Sequence, residues 1–540
     1  MIKGFRQIAS LTVVSRIFGL IRDMTFARFL GAGGLMDAWI IAFQIPNLSR
    51  RLFGEGAASA SFIPIYREQL EKGPKQAAIL ANTMVTVIFV LLSALALSAL
   101  AGLWIYNILF AGNPETKMML SLVSLMLPYM VMICTVAILA GILNVHKHFA
   151  APAAAPIVLN IFIISALMLT GWAFKMPAKQ QVFLIAAAVL LAGVVQIAIQ
   201  ISPLRASGVT IRPAWDIHSK AFRKVIFLMA PMIIGLTATQ LNTLADTWIA
   251  KVFSGSAIKG DFFTLLGTHL RYPLWDGAVS HLYYSQRLYQ FPLGVLGISL
   301  ATAIFPVMSA NAAQRDFTTL VRTISRGIKG AAFVSIPAIA GLILVARPLV
   351  SAVFEQGEFT AADSQATTQV LLFYAVGLCG YFSQQILTRA FYSVQDSKTP
   401  MRSAVIAVLV NIILNLTLIW FMGTAGLALS TAICSYLQVV ILLVSLRKRI
   451  GRSILDGFLV TLAKIVAATA FMYLAGAGIV SLMGGLADSR WFNILRIAAV
   501  VPVSAAVYLL AAKFLHIGEL ALLTGGSRTS QAEHIKKTSV

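Results

Sequence analysis

Runs of about 20 apolar residues recur from one end of this chain to the other, and they constrain its fold more than any other feature. A helix needs about 20 such residues to cross a hydrocarbon core of ~30 Å. The composition agrees, because 59% of the 540 residues are hydrophobic and only 11% are charged. The runs are continuous rather than alternating, which excludes a transmembrane barrel. The sequence therefore predicts an all-α polytopic membrane protein with about 14 transmembrane helices.

The lysines and arginines predict which way the chain crosses the membrane. The side that holds both termini carries about 29 of them, against about 8 on the other side. By the positive-inside rule we expect both termini in the cytoplasm and the Lys251–Gly277 connection in the periplasm. No cleavable signal sequence is evident, so the first span is expected to remain as the first helix. Because the formal charge of +23 resides mostly in short loops, it does not indicate a nucleic-acid partner.

Two pairs of segments resemble each other at a distance of six spans. The segment FQIPNLSRRLFGEG from Phe43 is echoed by YQFPLGVLGISL from Tyr289, and the segment that ends at Pro152 is echoed by one that ends at Pro400. An even offset preserves orientation and predicts a parallel pseudo-repeat about the membrane normal. The expected parts are an N-terminal six-helix lobe (1–207), a C-terminal six-helix lobe (208–449), two extra helices forming a lipid-tail groove (450–516) and a cytoplasmic tail (517–540).

Charged residues inside the first two spans give the clearest indication of function. An ionisable group near the centre of a bilayer costs at least ~2.5–3.5 kcal/mol, so it normally faces a protein interior or a watery cavity. Arginine offers a permanently charged planar fork that suits phosphate. We expect Arg16 and Arg22 to face such a cavity and Arg28 to lie near the outer surface. The alternative is that Arg16 and Arg22 form structural salt bridges with Asp23 and Asp37.

A further arginine lies in the eighth span, in the other half of the chain. Arg287 follows Ser280 in the run AVSHLYYSQRLYQ, where an arginine is as costly as in the first span. The arginines expected to form a positive ring between the lobes are Arg16, Arg22, Arg50 and Arg287. Such a ring suits a diphosphate with about two negative charges and repels the lipophilic cations that drug exporters handle.

Polar side chains in the second half suggest a cation site. Asp246 lies in the seventh span, Asn411 and Asn415 in the eleventh, and Thr431 in the twelfth. Asn411 and Asn415 share one helix face, and oxygen ligands from three helices suit a hard cation. The expected ion is monovalent, such as sodium, and no cofactor is required. Hydrogen bonding between helices is the alternative use of these side chains.

No enzyme signature is present in the sequence. It lacks a Walker A motif, an H-E-x-x-H motif and a nucleophile elbow. The turn Asn144–His148 holds two histidines but is interpreted as a solvated basic loop. The three cysteines lie singly in apolar spans and are interpreted as core residues. We therefore expect a transporter and not an enzyme, driven by the membrane potential, an ion gradient or consumption of its product.

Five motifs link the chain to a known family: S-R-x-x-G-x-x-R-D at Ser15–Asp23, P-N-L-x-R-R-x-F-x-E-G at Pro46–Gly56, R-L-x-x-F-P-x-G-V-L-G at Arg287–Gly297, F-E-x-G-x-F-T at Phe354–Thr360 and F-Y-S-x-x-D-x-x-T-P at Phe391–Pro400. With them the chain resembles, over nearly its whole length, the MurJ/MviN family of lipid II flippases. That family belongs to the multidrug/oligosaccharidyl-lipid/polysaccharide exporter superfamily.

The resemblance implies two six-helix lobes, two additional helices and residence in the bacterial inner membrane. The implied substrate is lipid II, the undecaprenyl-diphosphate-linked disaccharide-pentapeptide, moved from the cytoplasmic to the periplasmic leaflet by alternating access. Membrane lipids are implied partners, and cell-wall synthesis proteins are left open. The positions of this sequence that match the family's functional residues are Arg16, Arg22, Asp23, Asp37, Asn47, Arg50, Glu55, Ser280 and Arg287.

Two departures and two alternatives accompany the resemblance. Gln286 stands where some relatives carry an acid, and the Lys251–Gly277 connection has no assigned role. A flippase for another undecaprenyl-diphosphate-linked glycan, of the O-antigen type, would need the same arginines, because the diphosphate is common to both. A non-transporting cell-wall scaffold would have no reason to keep buried charge in its membrane helices.

Overall fold

The computed structural model describes residues 2–110, 113–265, 267–450, 454–485 and 489–521, without the side chains of 2–9, 54–60, 231, 234–239 and 265. Its backbone contacts divide the chain into two compact units. The first unit contains Met1–Ser280 and Gln356–Thr360, and the second contains His281–Glu355 and Ala361–Val540. The lobe boundaries expected at 207/208 and 449/450 stay predictions. Of the expected tail 517–540, residues 522–540 lie outside the described part.

The described residues of the first unit form eight helices whose apolar runs satisfy their own backbone hydrogen bonds, as a hydrocarbon environment requires. These helices are α1 (Ile2–Leu30), α2 (Gly34–Ser49), α3 (Ala57–Lys72), α4 (Pro74–Leu109), α5 (Pro114–Val145), α6 (Ala150–Leu167), α7 (Ala178–Ala206) and α8 (Lys220–Val252). Helix α1 packs on α6, α2 on α5, and α3 on α8. In the core the rings of Phe26 and Trp39 lie 5.4 Å apart, which joins α1 to α2.

Most of the second unit consists of nine further helices: α9 (Ala278–Pro292), α10 (Ile298–Ala313), α11 (Phe317–Phe354), α12 (Ala361–Val376), α13 (Leu378–Ser393), α14 (Lys398–Met422), α15 (Thr424–Ile450), α16 (Phe458–Leu482) and α17 (Arg490–Phe514). Helices α16 and α17 pack against each other and against α11. There the Tyr508 hydroxyl donates a hydrogen bond of 2.6 Å to the carbonyl of Phe333. The two extra helices expected in 450–516 are therefore both present.

Ten of the described helical segments are long and apolar enough to cross a membrane. An eleventh results if α12 and α13, which meet at a 42° bend, count as one span. The first, second and seventh spans expected from the sequence coincide with three further helices, α1, α2 and α8. The all-α polytopic class is confirmed, whereas 14 as the number of spans stays a prediction.

The first pair of echoed segments has the same local structure in both units. Helix α2 runs through a π-helical turn, Arg50–Gly56, into α3, and α9 runs through a π-helical turn, Leu293–Gly297, into α10. Each first helix has 16 or 15 residues and contains a proline close to its end, Pro46 or Pro292. A π-helical turn is rare and marks a local irregularity within a helix. Its recurrence after an equivalent proline supports the internal repeat.

The second pair of echoed segments ends its helices in the same way. After α5, the left-handed residue Lys147 (φ 62°) is followed by a hydrogen bond of 2.9 Å from the His148 amide to the Leu143 carbonyl. After α13, Gln395 (φ 59°) is left-handed and the Asp396 amide bonds the Phe391 carbonyl at 2.9 Å. Both turns are Schellman caps, which satisfy carbonyls at a helix end. The geometric relation of the two expected lobes stays a prediction.

The connection Lys251–Gly277, unassigned from the sequence, forms a small β-structured segment. Strands β2 (Phe262–Leu265) and β3 (Thr268–Arg271) pair as an antiparallel hairpin. Strands β1 (Ser254–Gly255) and β4 (Leu274–Trp275) pair in parallel. The rings of Phe263 and Tyr272 lie 4.8 Å apart inside the segment. Burial and the nearby charge of Lys251 lower the pKa of Lys259.

Candidate functional site

Arg22 occupies a defined site between α1 and α6. Its Nε and Nη2 donate hydrogen bonds of 3.0 and 2.7 Å to Oδ1 of Asp23, and its Nη1 donates one of 3.0 Å to Oδ1 of Asn160. Asn160 in turn donates to the carbonyl of Ser15 at 3.4 Å. Asp23 is 3% exposed, so the charge of Arg22 stabilises a carboxylate that is otherwise costly to bury. The sequence did not identify Asn160, which lies within an apolar run.

The other two arginines of α1 differ from Arg22 in their environment. Arg16 is exposed, and its side chain makes no hydrogen bond or ion pair with any described residue. Arg28 is also exposed, and its guanidinium lies 5.8 Å from the centre of the Phe29 ring. Of the salt bridges considered as the alternative from the sequence, the structure contains the one between Arg22 and Asp23.

Asp37 belongs to α2 and is fully buried, with its carboxylate against the first turn of α9. Its carboxylate accepts hydrogen bonds from the Gly277 amide at 2.9 Å, the Ser280 amide at 2.8 Å and the Ser280 hydroxyl at 2.5 Å. A helix begins with unpaired N–H groups, and an acidic side chain there satisfies them and interacts favourably with the helix dipole. Nearby, Lys251 forms an ion pair of 3.2 Å with Asp276. The structure thus brings the Asp37 carboxylate and the Ser280 hydroxyl together, as the acceptor and the donor of a hydrogen bond.

The Arg50 side chain bonds a residue of the helix that precedes it, α2. Its Nη2 donates a hydrogen bond of 2.8 Å to Oδ1 of Asn47, one turn earlier in the P-N-L-x-R-R motif. Arg51 is exposed and donates to Oε1 of Gln240 on α8 at 2.8 Å. The π-helical turn begins at Arg50. The side chain of Glu55 lies outside the described part of the chain.

Arg287 is exposed on α9, with its guanidinium 4.4 Å from the centre of the Tyr283 ring. A guanidinium over an aromatic face is attracted to it by the ring quadrupole. Gln286, the departure noted in the sequence, donates a hydrogen bond of 3.1 Å to the Tyr374 hydroxyl. An amide at this position therefore joins α9 to α12 without a charge.

The expected cation ligands of α14 and α15 form one hydrogen-bonded cluster. Asn415 donates to Asn411 at 3.0 Å, and Asn411 donates to Ser430 at 3.2 Å and to Thr431 at 3.4 Å. Ser430, which was not identified from the sequence, also donates to Asn415. Asp246 is buried in α8 and belongs to the first unit. The described residues contain no group of three or more His, Cys, Asp or Glu suited to a metal.

Two glycines bring the F-E-x-G-x-F-T motif against the end of α1. Gly31 (φ 64°) and Gly357 (φ 60°) are both left-handed. A Cβ at Gly31 would lie 2.6 Å from the Glu358 carbonyl oxygen, and one at Gly357 would lie 2.1 Å from the Arg28 carbonyl oxygen. The Glu358 amide donates to the Arg28 carbonyl at 2.9 Å. Two backbone segments can approach this closely only because both residues lack a side chain.

The chemistry available at these residues is binding of an anion. Guanidinium groups offer up to five N–H donors each and cannot lose their charge. Arg22 donates hydrogen bonds to Asp23 and Asn160, and Arg16 and Arg287 are exposed. Such groups match the paired oxygens of a phosphate.

Known proteins share sequence with this chain over most of its length. The family model described as lipid II flippase MurJ matches residues 26–495. A probable lipid II flippase MurJ of Vibrio cholerae is 34% identical over 456 residues, which cover 82% of this chain and 82% of that protein. The lipid II flippase MurJ of Burkholderia cenocepacia is 29% identical over 459 residues, with 83% and 84% covered.

Solved structures share the fold at low sequence identity. A lipid II flippase MurJ in an inward closed conformation matches with a TM-score of 0.72 and 24% identity, covering 94% of this chain and 98% of that one. An inward-facing multidrug transporter of the MATE family matches with a TM-score of 0.63 and 14% identity, covering 82% and 98%. The family match spans most of the chain, so this protein belongs to the lipid II flippase MurJ family.

Proposed function

We propose that this protein is a lipid II flippase, which moves the undecaprenyl-diphosphate-linked peptidoglycan precursor across the membrane by alternating access. Membership of the MurJ family supports the substrate. The observation that carries the proposal is the set of cationic groups on α1: Arg22 fixed by Asp23 and Asn160, and Arg16 exposed without a partner in the described chain. A charge inside a membrane helix costs at least ~2.5–3.5 kcal/mol and by default marks a functional site.

The proposed roles follow from how each side chain is held. Arg16, Arg22 and Arg287 bind the diphosphate, since a guanidinium fork matches its oxygens. Asp23 and Asn160 orient Arg22. Arg50, Asn47 and Glu55 complete the polar lining. Asp37 and Ser280 hold the start of α9.

The proposed setting is the bacterial inner membrane, with both termini in the cytoplasm and the Lys251–Gly277 segment in the periplasm. The lysine and arginine distribution supports this orientation. Lipid II and membrane lipids are the proposed partners, and cell-wall synthesis proteins are a further candidate group.

We also keep a cation site as a proposal. Sodium bound by Asp246, Asn411, Asn415 and Thr431 would couple transport to an ion gradient. The clustering of the three neutral side chains supports it, although the same contacts serve as interhelical hydrogen bonds. In proteoliposomes, dependence of transport on sodium that disappears in Asp246→Asn and Asn415→Leu is expected, and transport indifferent to sodium would contradict the idea.

Leaflet-resolved labelling of lipid II tests the main proposal. Bacteria depleted of the protein should accumulate lipid II that an impermeant reagent cannot reach, and re-expression of the protein should restore labelling. The same cells distinguish the alternatives. Accumulation of another undecaprenyl-diphosphate-linked glycan would support an O-antigen-type flippase. Unchanged lipid II exposure together with displaced cell-wall enzymes would support a scaffold.

A further inference from the structure

A cleft of about 1070 Å³ opens within the second unit, and none of the candidate site residues described above lines it. Its walls come from the turn after α10, the turn after α13 and the end of α15. The lining residues that matter here are Arg315, Phe317, Tyr392, Ser393, Gln395 and Arg449. Pockets that hold drug-sized ligands have volumes of ~300–1,000 Å³, so this cleft is large enough for a substantial polar group.

The charge inside the cleft is positive. Among the described residues that line it there are two arginines and no carboxylate. Arg315 is exposed, and its side chain forms no ion pair or hydrogen bond with the described residues. The adjacent Asp316 is occupied in capping α11, where it accepts a hydrogen bond of 3.0 Å from the Thr319 amide. Arg315 therefore keeps its full set of donors for a ligand.

Arg449 lies on the other wall of the cleft, where a contact with Asp396 fixes the direction of its guanidinium but leaves the side chain exposed. Its Nη1 donates a hydrogen bond of 2.6 Å to Oδ2 of Asp396, and the Arg449 side chain is still 49% exposed. Asp396 also accepts from the Thr399 amide at 3.0 Å and the Thr399 hydroxyl at 2.8 Å. Burial alone would raise the pKa of Asp396, but these hydrogen bonds and the charge of Arg449 hold it below its usual value. The guanidinium is thereby fixed, and most of its N–H donors have no acceptor among the described residues.

The surroundings of the cleft are those of a membrane surface. Phe317 is 46% exposed and Tyr392 is 49% exposed beside the two arginines. Aromatic residues of this kind collect where a bilayer meets water. The segments 315–329, 389–402 and 447–449 hold ten lysines and arginines but only two aspartates. Helices α10, α13 and α15 all end here, so the cleft lies at the edge of the membrane-spanning part.

We propose that this cleft binds the phosphate diester headgroup of an anionic phospholipid in the leaflet that it faces. Basic pockets between membrane helices on the cytoplasmic side bind such headgroups. A free phosphate ion shares the oxyanion chemistry, but it would leave the aromatic and apolar walls uncovered. The site needs neither Arg16 nor Arg22, so its test is independent of lipid II transport; its assignment to the cytoplasmic leaflet rests on the proposed orientation.

The test uses the full-length protein in phosphatidylcholine nanodiscs that contain an increasing fraction of phosphatidylglycerol. Native mass spectrometry counts the phosphatidylglycerol that stays bound. Arg315→Gln is expected to weaken retention by more than the about fivefold that the loss of any one basic residue at a membrane surface causes, because it also removes the N–H donors inside the cleft. Arg449→Lys keeps the charge beside Asp396 and is expected to weaken it less. Arg402→Gln removes another exposed arginine, which lies outside the cleft, and is expected to weaken retention by no more than this about fivefold surface effect.

Three outcomes would overturn the proposal. Equal loss in Arg402→Gln and Arg315→Gln would show that only the general surface charge attracts the lipid. Displacement of phosphatidylglycerol by millimolar inorganic phosphate would show that the cleft takes a free ion. Retention unchanged in both Arg315→Gln and Arg449→Lys, with thermal melting as in the parent protein, would show that the lipid binds elsewhere.

Discussion

Arg22 and Arg16 are close in sequence, yet they have different physical roles on α1. Arg22 neutralises the buried Asp23 and is tied to Asn160, whereas Arg16 is exposed. A buried charge that loses its partner destabilises a protein by ~3–5 kcal/mol, but an exposed charge contributes little to stability. Substitutions at these two positions should therefore separate substrate binding from folding.

For Arg16→Ala we expect normal abundance in the membrane and loss of lipid II exposure at the outer leaflet. Lysine should restore transport only in part, because it lacks the bidentate fork. Abundance is measured by immunoblot of membranes and exposure by leaflet-resolved labelling. A fall in abundance would instead indicate a structural role for Arg16.

For Arg22→Ala we expect reduced abundance as well as lost exposure, since Asp23 would lose two N–H donors. The double variant Arg22→Ala/Asp23→Asn should recover abundance but not transport, because the buried charge is gone and the fork is still missing. Recovery of both abundance and transport would show that the Arg22–Asp23 pair only stabilises the fold.

Ser280→Ala removes one of the three donors to the buried carboxylate of Asp37. A hydrogen bond to a charged group contributes ~1.5–3 kcal/mol, so thermal stability in detergent should fall measurably. Ser49→Ala is the matched control, because among the described residues the Ser49 hydroxyl bonds only the Ile45 carbonyl of its own helix, at 3.1 Å. Equal shifts in the two variants would contradict the special role of the Asp37 contact.

At the scale of elements, the contact between the end of α1 and the F-E-x-G-x-F-T motif depends on backbone approach. Gly357 has φ 60° and admits no Cβ, because one would lie 2.1 Å from the Arg28 carbonyl oxygen. Both the left-handed conformation and the contact disfavour any other residue. The sequence marked this motif only as a family feature, since glycine by itself does not reveal what approaches it.

Gly357→Ala is expected to lower the melting temperature by several degrees and to reduce transport. The neighbouring Gly33→Ala is the control, since a Cβ there meets nothing within 4 Å and its backbone is extended (φ −113°). An unchanged melting temperature of Gly357→Ala would show that the backbone contact between Gly357 and Arg28 is not close in the membrane.

At the scale of the whole molecule, the orientation in the membrane is open to direct measurement. With the native cysteines replaced, Thr268→Cys in the β2–β3 hairpin should react with an impermeant maleimide in intact cells, because Thr268 is exposed. His148→Cys, in the exposed turn after α5, should react only after permeabilisation. The reverse pattern would overturn the proposed topology.

The sequence by itself determined the class of fold, the family and the residues that carry charge. Apolar runs must become helices in a membrane because no other open structure satisfies their backbone, so that inference needs no tertiary information. The weak repeat was also readable, and its prolines coincide with matching π-helical turns. Arg22 and Asp23 were recognised as possible partners because they are adjacent.

Only the tertiary structure decided which polar groups meet across helices. Asn160 contacts Arg22 over 138 residues, and Ser280 contacts Asp37 over 243. Periodicity places a side chain on a face of its own helix, but it does not specify which face of another helix lies opposite. The basic cleft around Arg315 and Arg449 likewise could not be predicted from periodicity. It joins the ends of three helices that are distant in sequence, and only packing brings such ends together.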